Sequence, residues 1–525
     1  MGGRPHYKPW WLSVLLLVAL ACNFPTAETS PAGPLSGEQL RQTLSAPLIT
    51  FTPGAGEPTG EPPGEPPGEP SVQSPQPSPP STSQPAWTPQ PVPEGAYAYQ
   101  SRSGDTLDAL ASRFGVEPGQ IVTPPDVLRG GLLPPGTALT IPNVLGEVTP
   151  AGLLLPDSEL VYSPSAADFD LTGFVSQAGG YLSSYRELVN GEDLSGAAIV
   201  GRVADDLSVN PRLLLAILEF RSGWVFGAPR NPNDLAHPIG LYVPNRTGLY
   251  QEIQITATQL NVAYYGWRQG TFTEIKYRRE TLARLNPTLN AGTVALQHFF
   301  AMLYRPDDWL QNLYGSRDFP LLYTDRFGDP WQRAAAVEPL FPQGLAGPPL
   351  ELPFLPGERW SLTAGPHQSW NAGTPRGALD FSPVTGEAVC AVSRVWATAV
   401  AAGVIARAGH NTVALDLDGD GFEGTGWVLV YLHLAEKDLV AEGGRVELDA
   451  PLGHPSCEGG RATGKHVHLA RKYNGEWLPA DGAIPFVLSG WLAQADARNY
   501  YGTMVKGDEI VGTSPGGART SIIIR

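Results

Sequence analysis

Cysteine is nearly missing from this chain, with three in 525 residues. None is placed among the histidines considered below to act as a thiol nucleophile. Positive charge is also short. The 35 Lys and Arg are outnumbered by 51 Asp and Glu, leaving a formal net charge of −16, which argues against a nucleic-acid partner. The chain lacks a comfortable membrane span near its start: the apolar stretch from Trp10 to Ala21 is short, follows Arg4 and Lys8, and fits a secretory h-region. Glycine (60) and proline (53) are instead abundant, suiting long linkers and loop-rich β domains better than helical bundles. At roughly 150 residues per domain, the length predicts about three domains.

The apolar stretch ends at Ala19-Leu20-Ala21-Cys22. This resembles a bacterial lipoprotein cleavage site, and the resemblance implies a signal segment over 1–22, a lipid on Cys22 and an extracellular or periplasmic, membrane-anchored protein. An ordinary cleaved signal peptide is the alternative. Cys390 and Cys457 then remain as an even pair in an oxidising compartment. A disulfide between them is expected, although two buried free thiols would leave the same sequence. Residues 23–95 are a linker, and Pro53 to Pro93 is mostly Pro, Gly, Ser, Thr, Gln and Glu. Such a composition buries little and favours an extended stalk.

In the next segment, Asp105 or Thr106 caps a short helix with an apolar face of Leu107, Leu110, Ala111 and Phe114. Strands on either side complete a small βααβ unit over 96–143. Ser103-Gly104-Asp105-Thr106-Leu107 and Leu133-Pro134-Pro135-Gly136-Thr137 resemble a LysM module, which implies binding of N-acetylglucosamine glycans such as peptidoglycan. A module that only packs against its neighbours is the alternative.

Residues 165–335 read as helical, with helices predicted at Gly196 to Asp206, Arg212 to Phe220, Leu249 to Trp267 and Ala291 to Leu303. Asn210-Pro211 is an N-cap followed by proline at the first helical position. The run Val203 to Trp224 is similar to the first helices of lysozyme-like domains, in which a Glu immediately before a Ser is the general acid. Here Arg221 precedes Ser222, and Glu219 stands three before it. Either the register differs or the acid is gone, leaving a helical spacer or glycan-holding domain.

A Pro-rich break over 336–351 precedes a C-terminal antiparallel β domain over 352–495, followed by an extension over 496–525. Strands are predicted at Ala388 to Val392, Thr398 to Ala406, Thr412 to Asp416, Trp427 to Leu434 and Lys465 to Arg471. Within the last, His466 and His468 stand two apart and share a face. His367, Asp380 and His433 are upstream candidates to join them in a zinc site with an open position for water. Gly365-Pro366-His367, Leu379-Asp380-Phe381, Leu432-His433 and His466-Val467-His468 resemble the lysostaphin-like, LytM-type zinc endopeptidases of peptidoglycan, in their β-lytic branch.

That resemblance implies a duplicated-hybrid-motif fold, zinc on His367, Asp380 and His468, and catalytic roles for His433 and His466. Arg376 occupies the place where other branches carry the first histidine. The whole chain is thus expected to be multidomain α+β, a wall-targeted peptidoglycan endopeptidase. The alternatives are a non-catalytic wall-binding regulator, or a hydrolase with added glycosidase activity. His410 and His454 are read as ordinary histidines. Asp416, Asp418 and Asp420 begin like a calcium loop, but position twelve is Trp427; a plain acidic hairpin turn is the favoured reading over bound calcium.

Overall fold

The computed structural model describes residues 94–127, 130–278 and 281–525. The expected signal segment, Cys22 and all but the last two residues of the 23–95 linker lie outside the described residues. Among the described residues, no helix is long and apolar enough to cross a membrane.

The first unit pairs β1 (Ala96–Gln100) with β2 (Ala138–Pro142), antiparallel, around α1 (Leu107–Phe114). Thr106 caps α1 by accepting the Ala109 amide, and Gly115 ends it in the left-handed conformation. The second helix of the expected βααβ unit is one 3-10 turn, Pro118–Gln120, because Pro124 and Pro125 cannot continue a helix beyond it. The unit is fastened to its neighbour. Arg113 is buried, paired with Asp105 at 2.7 Å, and donates from Nε to the Trp267 carbonyl at 2.9 Å.

The helical region contains α2 (Gly196–Leu207), α3 (Pro211–Ser222), α4 (Leu249–Arg268) and α5 (Ala291–Leu303), each within two residues of its prediction. The Asn210 side chain accepts the Arg212 amide ahead of Pro211. Leu213 to Leu218 are buried without interruption, which places α3 at the centre of the domain rather than on its surface.

The C-terminal domain follows with β3 (Arg359–Gln368), β4 (Arg376–Pro383), β5 (Gly403–Gly409), β6 (Thr412–Asp416), β7 (Trp427–Leu432), β8 (Arg445–Val446), β9 (Val467–Tyr473) and β10 (Glu476–Trp477). Beyond these lie β11 (Val487–Leu488), β12 (Trp491–Ala495), β13 (Gly502–Lys506), β14 (Glu509–Gly512) and β15 (Ile522–Ile524). One nine-stranded sheet runs β8-β5-β6-β7-β9-β4-β3-β15, with β10 pairing β9; β11 to β14 form a second sheet in chain order. Residues 496–525 supply strands to both sheets. β15 closes the open edge of β3, with Ile522 opposite Ser361.

The predicted strand Ala388 to Val392 is a turn. Cys390 is held there by a disulfide to Cys457, and a covalent tie takes the place of a ladder.

Both faces of the large sheet are covered, which is why β7 reads as an unbroken apolar run. Leu429, Tyr431, Val413, Leu415 and Leu469 join the core beneath the second sheet, with Trp491 and Met504. Their alternating neighbours Val428, Val430, Ala414 and Ala470 join the core of the helical domain. That interface also carries ion pairs, buried or half-buried. Arg268 of α4 reaches Glu476 at 2.9 Å, and Arg407 reaches Asp206 of α2 at 2.9 Å and Glu423 at 2.5 Å.

Candidate metal centre

Three adjacent strands bring the first residues of the site together. His468 of β9 stands directly opposite Asp380 of β4. β3 is irregular where it passes them, with register shifts on both sides of Ala364 and of His367. Bulges re-aim side chains, and here they aim the His367 ring across β4. The three ligand-type atoms then form a nearly equilateral triangle. His367 Nε2 and His468 Nδ1 are 3.0 Å apart, and each lies 3.3 Å from Asp380 Oδ1.

Hydrogen bonds outside the triangle assign the tautomers. His367 Nδ1–H donates to the Gly365 carbonyl at 2.9 Å, and His468 Nε2–H donates to the Ser369 carbonyl at 2.9 Å. In the neutral rings the inward nitrogens therefore present only lone pairs. Asp380 Oδ1 is buried without a hydrogen-bond donor. Burial pushes the Asp380 carboxyl up, yet the imidazoles of His367 and His466 hold it well below the usual carboxylate range. It remains an anion. Burial alone would lower His367, but the Asp380 carboxylate more than reverses this, whereas burial dominates at His468 and lowers it.

Two nitrogens and a carboxylate oxygen facing one another in a buried place call for a cation. Tetrahedral bonds of about 2.0–2.1 Å put neighbouring ligand atoms about 3.3–3.4 Å apart. The donor set and its spacing fit zinc, with the fourth direction open to the cleft.

His433 and His466 stand beside the triangle. Their rings are 4.5 Å apart, and His466 Nε2 is 3.5 Å from Asp380 Oδ2. Each also gives one N–H to a carbonyl, His433 Nδ1 to Glu458 at 2.8 Å and His466 Nδ1 to Gly464 at 2.7 Å. Both Nε2 atoms are left to take a proton. His433 has φ 67°, a left-handed conformation that turns the chain as β7 ends and costs about 1–3 kcal/mol at a non-glycine residue. Burial, and next the neighbouring His466, push its imidazole down to about 3. It rests neutral.

The cleft is about 750 Å³ and is lined by His367, Asp380, His433, His466 and His468 together with Trp370 and Tyr500. Sequence reasoning missed Tyr500. Its ring stacks on His367 with centroids 4.6 Å apart, and its carbonyl accepts the Gly365 amide at 2.9 Å. Gly365 is required there, since a Cβ would lie 2.7 Å from the Gly502 amide nitrogen. Arg376 holds the same junction from the other side, donating to the carbonyls of Pro366, Asp496 and Arg498. Only the Tyr500-Tyr501 pair was visible in sequence, and nothing in it pointed to a cleft.

Other predicted sites fall elsewhere. His410 is half exposed beside Glu192, and His454 lies against Trp396. Glu219 Oε2 accepts the Val225 and Phe226 amides at 2.9 and 3.0 Å, closing the loop after α3. The calcium expectation at Asp416, Asp418 and Asp420 is not supported. The carboxylate oxygens do lie within 4.8 Å of one another, but the turn uses them. Asp416 accepts the Asp418 and Gly421 amides, Asp418 accepts the Asp420 amide, and Asp420 accepts the Phe422 amide and the Thr425 hydroxyl. It is the β6–β7 hairpin, stapled by its own backbone donors.

The family model for the LasA N-terminal domain matches residues 153–340, the helical region that covers the sheet. Protease LasA of Pseudomonas aeruginosa is 26% identical over 385 residues, covering 68% of this chain and 84% of that protein. The β-lytic metalloendopeptidase of Achromobacter lyticus is 29% identical over 167 residues, covering 30% of this chain and 40% of that protein. These two relatives are named a protease and a metalloendopeptidase. The deep-sea M23 metalloprotease pseudoalterin, as a solved structure, is similar at 22% identity and a TM-score of 0.28, over 34% of this chain and all of that one. The match to the LasA N-terminal domain precedes the β domain in the chain.

Proposed function

We propose that the protein is a zinc-dependent endopeptidase that hydrolyses peptide bonds in the stem peptides or cross-bridges of peptidoglycan. The observation that carries this reading is the orphaned Asp380 Oδ1, 3.3 Å from two bare imidazole nitrogens. His367, Asp380 and His468 are the ligands. Zinc, when bound, lowers the pKa of its water toward neutrality and polarises the scissile carbonyl. His433 and His466 do the proton work. The Nε2 atom of one of them accepts the proton of the attacking water and returns it to the departing amine, and His466 is the ring that stands against the Asp380 carboxylate, at 3.5 Å. Once protonated, the accepting ring's Nε2–H also stabilises the tetrahedral oxyanion.

Targeting is part of the proposal. The 96–143 unit is read as a LysM module that brings the enzyme to its polymeric substrate, and the N-terminal segment with Cys22 as a lipid anchor in an extracellular or periplasmic place. The Cys390–Cys457 disulfide supports an oxidising compartment. The resemblance of the helical domain to lysozyme-like folds does not extend to their activity, because the Glu219 carboxylate is committed to two backbone amides.

The test is digestion of purified peptidoglycan by the full chain, with mass spectrometry of the released muropeptides. Zinc-dependent release of fragments with new peptide termini is expected. Digestion indifferent to chelators, or new reducing ends without new amino termini, would sink the reading.

A further inference from the structure

The metal centre and the helical domain share one face of the large sheet. Ala378 and Ala470 are buried in the helical core, and Asp380 and His468 lie two residues away on the same strands and therefore on the same face. The 369–375 loop fills the junction. Ser369, fully buried, accepts the His468 Nε2–H. Asn371, two residues on, reaches the other way, its Nδ2 donating to Thr258 Oγ1 of α4 at 2.8 Å. The Thr258 hydroxyl gives its own hydrogen to the Gln254 carbonyl at 2.8 Å, so its oxygen is left to accept from Asn371.

The loop is closed on itself between these two ends. Asn371 Oδ1 accepts the Gly373 amide at 3.0 Å, and Thr374 Oγ1 donates to the Asn371 carbonyl at 2.8 Å while accepting the Trp370 amide at 2.9 Å. Gly373 lies so close to α4 that a Cβ would stand 2.5 Å from the Thr258 carbonyl oxygen. One end of the loop is thus seated on the helix and the other on the His468 ring.

We propose that Thr258 and Asn371 are positioning residues for the metal centre, through which the helical domain sets the orientation of the His468 imidazole and the affinity of the site for zinc. The proposal rests on the zinc reading above. It makes the helical domain a working part of the enzyme rather than a spacer before it.

The test uses the full chain and zinc alone, with dissociation constants from competition against a chromophoric chelator. Thr258→Val keeps the shape of the side chain and removes the hydroxyl. It is expected to weaken zinc binding about tenfold, the lower end for loss of an outer partner of a metal ligand. Thr258→Ser restores wild-type affinity, and Gly373→Ala weakens binding at least as much as Thr258→Val. Asn371→Ala gives the same readout from the loop side should Thr258→Val fail to fold. Ser208→Ala is the control, since it deletes another buried bond between the domains, from Ser208 Oγ to the Gly475 carbonyl at 2.6 Å, far along the chain from this loop. Its zinc affinity stays at the wild-type value. Equal weakening in Ser208→Ala and Thr258→Val, or no weakening in either, overturns the proposal. A wild-type chain that takes up no zinc refutes the site reading itself, before any variant is compared.

Discussion

Asp380 and Asp416 both end up buried in one sheet, and each gathers two further side chains with ligand-type atoms. Their surroundings differ in burial, since Asp418 and Asp420 are exposed, and in what meets the carboxylate oxygens. At Asp416 to Asp420 the carboxylates accept backbone amides of their own turn, so their charge is spent on shaping a hairpin. At Asp380, the inward oxygen meets only lone pairs. A cluster of acidic groups becomes a metal site when its oxygens are denied donors, not when they are merely close.

The largest effect expected from breaking this contrast is at the centre itself. Asp380→Asn or His468→Ala should abolish zinc binding and reduce wall hydrolysis to background, read as zinc per chain and fragment release. Removing zinc from the wild type with a chelator should do the same, reversibly.

His433→Ala separates holding the metal from using it. We expect kcat to fall about 10²–10⁴-fold, the usual contribution of a positioned acid or base, while zinc per chain stays at the wild-type value. Loss of metal along with activity would place His433 among the ligands instead.

The hairpin should fail in stability rather than in chemistry. Its Glu423 lies buried between Arg407 and Lys472, 2.5 and 2.7 Å away, and breaking such a pair by Glu423→Gln should cost about 3–5 kcal/mol in denaturant unfolding. pH reports the same pair. Burial pushes the Glu423 carboxyl up, but Arg407 and Lys472 bring it down to about 2. The folded value lies below the unfolded one of about 4.3. Its stabilisation is therefore fully present above that pH and is lost as pH falls through about 2. Acid unfolding of Glu423→Gln should show a shallower loss over this window.

The smallest effect belongs to Asp420, which is exposed. Asp420→Ala should cost no more than about 1 kcal/mol, and millimolar calcium should leave the unfolding temperature of the wild type unchanged. A calcium-dependent rise abolished by that substitution would restore the cation reading of the hairpin.

Much of this was legible residue by residue. The Asn210 and Thr106 caps and the helical spacing of apolar residues located the helices closely, because those signals are local. β7 was legible from its composition, and His466-x-His468 from the two-residue period of a strand. β3 and β4 were not predicted as strands, since bulges around His367 break the alternation that would have marked them. The role of Tyr500 was hidden for a different reason: its contact with His367 depends on the 496–525 segment folding back onto β3, and no spacing in the sequence encodes that.

The sequence by itself determined which donors exist: four histidines and one aspartate in motifs specific enough to imply zinc, and helices with their own start and stop signals. Only the tertiary structure decided which of their atoms face one another. The outward nitrogens of the four rings are occupied by the carbonyls of Gly365, Ser369, Glu458 and Gly464, and a carbonyl is the same group whichever residue carries it. Which face of the sheet meets the helical domain, and which oxygen of Asp380 is left without a donor, follow from pairings between segments far apart in the chain. Those are properties of packing, and no single residue states them.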